Sequence, residues 1–233
     1  MANINEVKKV LSKIKGKIGK VVPFNLNEKN VVIFDFTEAN EELKNFDILN
    51  TKKFTQYIFN KLNQNNTPVG IGKYNENRVS YARIPLFKGE NGNRTVHLGM
   101  DIWAKARTPI FAPLKGKVHS FKNNNKFGDY GPTIILKHKI ERVKFYTLYG
   151  HLSLDSIQNL EKGQIFNKGE KLAKIGNYPE NGGWSQHLHF QIITDMQGLE
   201  GDFPGVASLK DREKFLELCP DPNLILRIEK LRL

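Results

Sequence analysis

The tightest constraint on the fold of this chain is a series of short apolar segments, separated by glycines, that begins after residue 67. Short runs rich in β-branched and aromatic residues and bounded by turn residues predict β-strands. Glycines at positions 163, 169 and 176 punctuate the later part, a spacing that predicts antiparallel strands joined by tight turns. The chain is therefore predicted to form a mainly β fold, an antiparallel sheet or sandwich. The predicted strands are residues 79–84, 108–112, 116–121, 133–136, 143–148, 164–166 and 171–175.

Helical periodicity precedes the β region. Apolar residues recur at helical spacing over residues 4–18, with lysines on the opposite face. Residues 31–36 are predicted to form a short strand or an extended brace. A second helix is predicted behind Asn50 or Thr51, either of which can cap it. Its predicted buried positions are Phe54, Ile58 and Leu62.

Helical signals return near the C-terminus. Ser208 is followed three residues later by Asp211, a capping-box pattern, and Pro220 would stop the helix. Residues 223–228 then predict a last strand or brace. We therefore predict three regions: a helical N-terminal extension at residues 1–66, a β domain at residues 67–207, and a C-terminal helix with its brace at residues 208–233.

Composition matters mainly for what it excludes. The single cysteine, Cys219, cannot form an internal disulfide, and a cysteine-ligated metal site is excluded. Lysines interrupt the N-terminus, so no secretory signal peptide is predicted, and no apolar run approaches the roughly 20 residues of a membrane helix. We expect a cytoplasmic location unless a non-classical route exports the chain.

The net charge of +12 is concentrated partly at the N-terminus, where the first thirty residues hold seven lysines and two glutamates. Such a balance predicts weak, salt-sensitive association with anionic surfaces or polymers. The sequence has no basic motif interleaved with aromatic residues and no recognisable nucleic-acid module, so no specific nucleic acid is predicted as a partner.

Three separated stretches contain histidine beside apolar residues. In a strand, His97 and Asp101 would lie on one face, on either side of Gly99, which leaves room for a metal. The same alternation places His187 and His189 together. Three nitrogen or oxygen ligands with one open position are typical of catalytic zinc sites, whereas structural sites are closed by four ligands. The stretches are residues 95–101, 149–153 and 185–190.

The order of these stretches, H-L-G-M-D, then Y-G-H-L-S, then H-L-H-F, resembles the lysostaphin-type zinc metallopeptidases. That family includes the LytM-like autolysins, which cut peptide bonds of bacterial peptidoglycan. The glycine-punctuated run K-G-Q-I-F-N-K-G-E-K-L-A-K-I-G-N belongs to the same resemblance, which covers roughly residues 95–193. The resemblance implies an antiparallel β-sandwich of the duplicated hybrid motif type, with a groove over the metal.

Carried over residue by residue, the resemblance implies that His97, Asp101 and His189 bind one Zn²⁺ per chain, with water in the fourth position. It also implies that His151 and His187 are the catalytic pair. Zinc lowers the pKa of bound water. The sequence has no H-E-x-x-H motif to supply a glutamate base, so a histidine, which can accept a proton near neutral pH, is the expected general base. Which of the two histidines is the general base stays open.

Other positions are interpreted differently. His119 and His138 are predicted to be structural or solvated. Residues 180–185 are predicted to form a groove wall, in which Trp184 either stacks on substrate or covers the core. Gln186 and Gln191 stand where many family members have the proline and glutamate of P-H-L-H-F-E. Neither substitution removes a ligand.

The predicted function is a zinc-dependent endopeptidase that hydrolyses peptide (amide) bonds, the family substrate being peptidoglycan cross-links or stem peptides. Residues 195–207 and 219–224 resemble a branch whose modules also occur in long cytosolic chains, which weakens peptidoglycan as the assumed substrate and leaves a cytosolic amide open. Two further classes stay open. They are a non-catalytic zinc-binding, regulatory module and a phosphocarrier-type β module, against which the metal-ligating Asp101 argues.

Overall fold

The computed structural model describes residues 3–81, 84–88 and 92–232. The strands in this part of the chain are β1 (Val32–Phe34), β2 (Gly70–Gly72), β3 (Arg94–His97), β4 (Met100–Trp103), β5 (Pro109–Phe111), β6 (Gly116–Asn124), β7 (Gly131–Ile140), β8 (Val143–Gly150), β9 (Ile165–Phe166), β10 (Lys171–Lys174), β11 (His187–Ile193) and β12 (Val206–Ser208). Eight of them form one sheet in the order β1-β2-β4-β11-β8-β7-β6-β9. Its neighbouring strands are antiparallel, except that β1 and β2 run parallel.

Two smaller sheets pack on opposite faces of the large sheet. β5 pairs with β10, and their Ile110 and Ala173 share a core with Ile134 of β7. β3 pairs with β12, and Val96 packs in a second core with Ile135 of β7. Consecutive residues of a strand point to opposite faces, so β7 supplies side chains to both cores.

Four α-helices lie outside the sheets of the described chain: α1 (Ile4–Lys13), α2 (Thr51–Gln64), α3 (Arg212–Leu218) and α4 (Asn223–Leu226). A capping box begins α1, because the Asn3 side chain accepts from the Glu6 N–H at 3.0 Å and the Glu6 carboxylate accepts from the Asn3 N–H at 2.9 Å. α1 buries an apolar face in the first core and leaves its lysines toward solvent. Among the described residues, no helix is both long enough and apolar enough to cross a membrane.

The second predicted helix is confirmed as α2. Asn50 is its N-cap, and its side-chain oxygen accepts from the Lys53 N–H at 3.1 Å. The buried positions are those predicted from the i, i+4, i+8 spacing, and they pack with Phe34 of β1 and Trp103 of β4. This contact joins the N-terminal part of the chain to the large sheet. The buried residues are Phe54, Ile58 and Leu62.

The prediction of a mainly β fold with N-terminal helices and a short C-terminal helix is confirmed. The strands predicted at 108–112, 116–121, 133–136 and 143–148 correspond to β5, β6, β7 and β8, and residues 31–36 contain β1. β1 comes from the predicted N-terminal extension, yet it is an edge strand of the large sheet. The division of the chain into three regions stays a prediction.

The strand predicted at residues 79–84 is wrong, and so is the predicted pairing between the strands at residues 164–166 and 171–175. The first residues of the segment 79–84 form a turn, and residues 82–83 lie outside the described part of the chain. The Val79 N–H donates to the Phe36 carbonyl at 3.1 Å, so its hydrogen bond belongs to a loop contact rather than to a strand of the sheets. β9 and β10 do not pair with each other, because β9 extends the large sheet beside β6 whereas β10 pairs with β5.

The C-terminal segment 223–228, predicted to be a last strand or brace, contains α4 (Asn223–Leu226) and no strand. The Asn223 side chain accepts from the Ile228 N–H at 2.7 Å and donates to the Ile228 carbonyl at 3.1 Å, which closes the segment on itself. The predicted capping contact forms, since the Asp211 N–H donates to the Ser208 hydroxyl at 3.1 Å, but α3 begins only after this turn.

We expect Ile58→Ala to lower the free energy of unfolding by about 2–5 kcal/mol, because it removes a fully buried side chain where α2 meets the sheet. Urea or guanidinium denaturation measures the change. Gln56→Ala, on the exposed face of the same helix, is the matched control, with an expected change within about 0.5 kcal/mol. Equal losses in the two variants would contradict the packing described for α2.

Candidate metal centre and active site

Strand β11 places two of the predicted site histidines at the middle of the large sheet. It lies between β4 and β8, with His189 opposite Asp101 on one side and opposite Gly150 on the other. Strand alternation puts His187 on the same face as His189. His97 is the last residue of β3 and reaches the same point from the neighbouring small sheet.

Three donor atoms converge there. His97 Nε2 lies 3.0 Å from His189 Nδ1, and these two nitrogens lie 3.2 and 3.3 Å from Asp101 Oδ1. Bonds of about 2.0–2.2 Å in a tetrahedral zinc site separate the ligand atoms by roughly 3.3 Å or slightly more, so the spacing is close to that of a bound metal. Each of the three residues is at most 3% exposed.

Asp101 Oδ1 supplies an independent test of whether a cation fits. It is a buried oxygen that accepts no hydrogen bond from the described residues. A buried carboxylate oxygen left unpaired is costly, and a cation among the three donors removes that cost. The group His97, Asp101 and His189 could therefore hold a metal ion.

The outer nitrogen of each donor histidine is already bonded. His97 Nδ1 lies 2.9 Å from the Lys73 carbonyl, and donation to that oxygen leaves Nε2 with its lone pair. His189 Nε2 lies 2.9 Å from Gln191 Oε1, which leaves Nδ1 free in the same way. The Gln191 amide nitrogen donates to the Pro204 carbonyl at 3.1 Å, so its oxygen faces the histidine. From the sequence, Gln191 was noted only as a departure from the family pattern. The structure shows that its side-chain oxygen contacts His189 Nε2.

Arg78 holds the other oxygen of Asp101. Its Nη1 lies 2.5 Å from Asp101 Oδ2, and its Nε lies 3.0 Å from a Glu76 carboxylate oxygen. The guanidinium also lies 5.0 Å from the Phe36 ring centre and 5.4 Å from that of Tyr81. Burial opposes the ionised form of Asp101, but the surrounding histidines and Arg78 outweigh it and hold the pKa of this carboxyl well below its usual range.

Sequence reasoning missed Arg78. Arg78 lies just before the predicted strand 79–84, and its partner Asp101 lies 23 residues further along the chain. The available signal was the pair Glu76 and Arg78, two charges of opposite sign just before an apolar segment. Such a pair is common on surfaces, so its burial could not be inferred from the sequence.

Gly99 is required for a reason that differs from the predicted one. β3 ends at His97 and β4 begins at Met100, so the predicted single strand is broken at this glycine. A Cβ at Gly99 would lie 2.5 Å from the His189 ring and 2.9 Å from the Phe190 carbonyl oxygen. The space beside the glycine is thus taken by the His189 imidazole rather than left for the metal.

His151 and His187 face each other beside the three donors, with ring centres 4.3 Å apart. His151 Nδ1 lies 2.9 Å from the Asn181 carbonyl and His187 Nδ1 lies 2.7 Å from the Ser185 carbonyl, so donation to these oxygens leaves each Nε2 with a lone pair. Burial lowers the pKa of His187 to about 4 and that of His151 well below its usual value. Both imidazoles are therefore neutral at neutral pH and able to accept a proton.

The backbone of His151 is held in an uncommon conformation. Its φ is 61°, in the left-handed region that residues with a side chain rarely adopt. Its N–H donates to the Tyr130 carbonyl at 2.7 Å, and its own carbonyl accepts from the Gly176 N–H at 2.9 Å. These contacts fix the side chain toward His187. Strained backbone of this kind is concentrated at functional sites.

Trp103 packs against His187. The two rings stack with centres 4.2 Å apart and an angle of 22° between them. The tryptophan is in turn packed by Phe36 and Phe54, at ring-centre distances of 5.7 and 5.6 Å. The N-terminal part of the chain therefore touches a residue that positions a predicted catalytic histidine.

A cavity of about 390 Å³ opens over the site. Trp184 lies in its wall, where its indole N–H donates to the Asp129 carbonyl at 3.1 Å and its ring packs edge-on against His151. Aromatic and aliphatic side chains form much of the remaining wall, as is usual in ligand-binding cavities. These include Phe36, Tyr81, Tyr130, Phe203 and Val206.

The remaining two histidines lie away from this cavity. His138 is fully buried, with its ring nitrogens 2.9 Å from the Lys115 carbonyl and 2.7 Å from the Thr147 hydroxyl. His119 packs edge-on against Tyr146 at 5.1 Å. Neither residue lines the cavity.

We expect Gly99→Ala to lower metal affinity at least tenfold, because the added methyl group displaces the His189 ring. Competition with a chromophoric chelator measures the change. Gly16→Ala is the matched control, since a Cβ there meets no atom within 4 Å. Retention of metal affinity by a folded Gly99→Ala protein would contradict this account of the glycine.

We expect Arg78→Lys to weaken metal binding by about 10–100-fold, because lysine cannot bond to Asp101 and Glu76 together with the geometry of the guanidinium. The same chelator competition measures the loss, and circular dichroism checks that the variant is folded. Arg107→Lys, at an exposed ion pair with Asp155, is the control and should bind metal normally. Unchanged affinity in a folded Arg78→Lys protein would exclude a role for Arg78 in orienting the carboxylate.

Solved structures similar to this chain include a zinc-containing peptidase from Vibrio cholerae (25% identity over 48% of this chain and 30% of that one, TM-score 0.34). The catalytic domain of the antimicrobial peptidase lysostaphin from Staphylococcus simulans is 23% identical over 52% of this chain and 80% of that one, with a TM-score of 0.36. Csd3 from Helicobacter pylori is 26% identical over 53% of this chain and 32% of that one, with a TM-score of 0.34. The matched region thus spans about a third of two of these proteins.

No curated protein matches the chain. The family model for peptidase family M23 matches residues 95–200, a segment that contains the five predicted site residues. This match confirms the resemblance to the lysostaphin-type, LytM-like peptidases on which the site prediction was based. Over this segment, which is a little under half of the chain, the protein is similar to peptidase family M23.

Proposed function

We propose that this protein is a zinc-dependent metallopeptidase that hydrolyses peptide (amide) bonds. In this proposal His97, Asp101 and His189 hold one Zn²⁺, and His151 and His187 are the catalytic pair. The observation that carries the proposal is the convergence of three donor atoms within 3.3 Å of one another, one of them a buried carboxylate oxygen with no hydrogen-bond partner among the described residues. The match of residues 95–200 to a peptidase family supports the reaction class.

A zinc ion at these donors would polarise the scissile carbonyl and lower the pKa of a bound water. The protein's own contribution is proton transfer at His151 and His187. Each has Nδ1 fixed on a backbone carbonyl and Nε2 free, so one can take a proton from the attacking water while the other protonates the leaving amine. The arrangement is compatible with either assignment of the base.

The cavity limits how a substrate reaches these groups. His151 and His187 are only 5% and 3% exposed, so a scissile bond has to enter the cavity to contact them. For the substrate we propose peptidoglycan cross-links or stem peptides, supported by the resemblance to the lysostaphin-type peptidases.

Mass spectrometry of purified muropeptides incubated with the zinc-loaded protein tests the proposal. We expect the parent protein to cleave amide bonds, and His151→Ala and His187→Ala each to reduce turnover by about 10²–10⁴-fold, the usual contribution of an acid or base group. Zinc content should stay at one per chain in both variants, because neither residue belongs to the proposed donor set.

Two results would count against the proposal. If muropeptides stay intact while a library of unmodified peptides is cleaved, the peptidase assignment stands and the peptidoglycan substrate is wrong. If neither is cleaved by protein with one zinc per chain, the site binds metal without hydrolysis and the chain is a non-catalytic zinc-binding module. His138→Ala is unsuitable as a control because that residue is buried, whereas His119→Ala leaves the cavity intact and should keep full turnover.

A further inference from the structure

A second surface feature lies on β6, β7 and β8, away from the cavity. Lys117 of β6 is directly opposite Lys137 of β7, and Lys139 of β7 is directly opposite Lys144 of β8. Opposite residues of antiparallel strands project from the same face, and residues two apart on one strand share that face. The four lysines therefore form one group, which we call the basic strip.

The four lysines of the basic strip make no ion pair with the described residues. Like charges placed directly opposite each other destabilise a sheet, and the strip contains two such pairs. No carboxylate in the described residues lies within 4.0 Å of a strip lysine. Two carboxylates at the margins are already paired, Glu141 with Lys13 and Glu200 with Lys162.

Aromatic contacts hold part of the strip in place. Tyr146 of β8 is opposite Lys137, and the Lys137 ammonium lies 6.0 Å from the tyrosine ring centre. His119 packs edge-on against the same ring. Asp195 lies on the tyrosine side of the strip, where its charge adds to burial in raising the pKa of Tyr146. The other three lysines are exposed.

The basic strip and the candidate active site lie on the same face of the large sheet. Gly150 of β8 is opposite His189, and Tyr146 and Lys144 precede it by four and six residues on the same strand. Six residues of strand span about 20 Å. Lys122, further along β6, lies in the cavity wall, as do the carboxylates of Glu200 and Asp202.

We propose that the basic strip binds an extended phosphodiester polymer. Lysine binds phosphate as a point charge, and a phosphate placed between two opposite lysines would neutralise both. The two lysine pairs are offset by two residues along the strands and by one strand across them. Their centres are thus roughly 8 Å apart, a distance that successive charged groups of an extended polymer can span.

Fluorescence anisotropy with a labelled polymer of glycerol phosphate tests this site, using the full-length protein at several salt concentrations. We expect Lys137→Gln/Lys139→Gln/Lys144→Gln to weaken binding at least tenfold at low salt. We also expect the slope of log K against log salt to become shallower by about 0.7–1.4, because the variant loses one lysine pair and half of the other, and each lost phosphate contact removes about 0.7. The unfolding temperature should not fall, because the substitutions relieve repulsion between lysines.

The matched control is Lys52→Gln/Lys53→Gln/Lys105→Gln, which removes the same charge at exposed positions outside the strip. We expect it to weaken binding less than twofold. Equal losses in the two triple variants would show that only net charge matters and would overturn the proposal. Equal binding of poly-glutamate would exclude a phosphodiester preference, and binding to anionic vesicles without binding to the polymer would identify a membrane surface instead.

This inference does not depend on the proposed hydrolysis. Binding is measured without turnover, and none of the substituted lysines lines the cavity. If the protein binds the polymer but cleaves no amide, the proposal for the basic strip stands and the proposed hydrolysis is wrong. If the protein cleaves amides but its triple lysine variant binds the polymer normally, the proposed hydrolysis stands and the proposal for the basic strip is wrong.

Discussion

The carboxylate of Asp101 is shared between two kinds of neighbour, and the candidate site depends on this division. One oxygen receives the Arg78 guanidinium, and the other faces His97 and His189. The neighbouring histidines and Arg78 hold the pKa of the buried aspartate well below its usual range, and burial lowers the pKa of His97 to about 3. Because His97 Nδ1 and His189 Nε2 each face an oxygen acceptor, their inner nitrogens and Asp101 Oδ1 direct three lone pairs at one point.

The support for this site extends well outside the segment that matches the peptidase family. Phe36, which follows β1, lies 5.0 Å from the Arg78 guanidinium and 5.7 Å from the Trp103 ring. It therefore touches both the group that orients Asp101 and the ring that stacks on His187. The N-terminal part of the chain contributes to the floor and wall of the cavity through Phe36 and Phe54. It is a structural component of the site, whatever the boundaries of the folding units.

The parts of the fold and site that could be predicted from sequence are those set by local periodicity. The i, i+4, i+8 spacing fixed the buried face of α2, and strand alternation placed His187 beside His189. The roles of the five site residues came from the family resemblance, and they stay predictions. Contacts between distant segments could not be predicted in the same way, since nothing near Arg78 in sequence indicates that its partner is Asp101. In the last segment, side-chain hydrogen bonds from Asn223 to the Ile228 backbone overcame an apolar pattern that suggested a strand.

The position of β11 has a consequence for how the site moves. Its backbone is hydrogen-bonded to β4 on one side and to β8 on the other, so no local fraying can release it. Amide protons in such a strand exchange with solvent only when the domain opens as a whole, whereas those in loops exchange through small local openings. Two of the three donor side chains, on β4 and β11, therefore belong to the slowest-exchanging part of the molecule. The loops around the cavity can change shape on a faster timescale while the spacing of these donors is preserved.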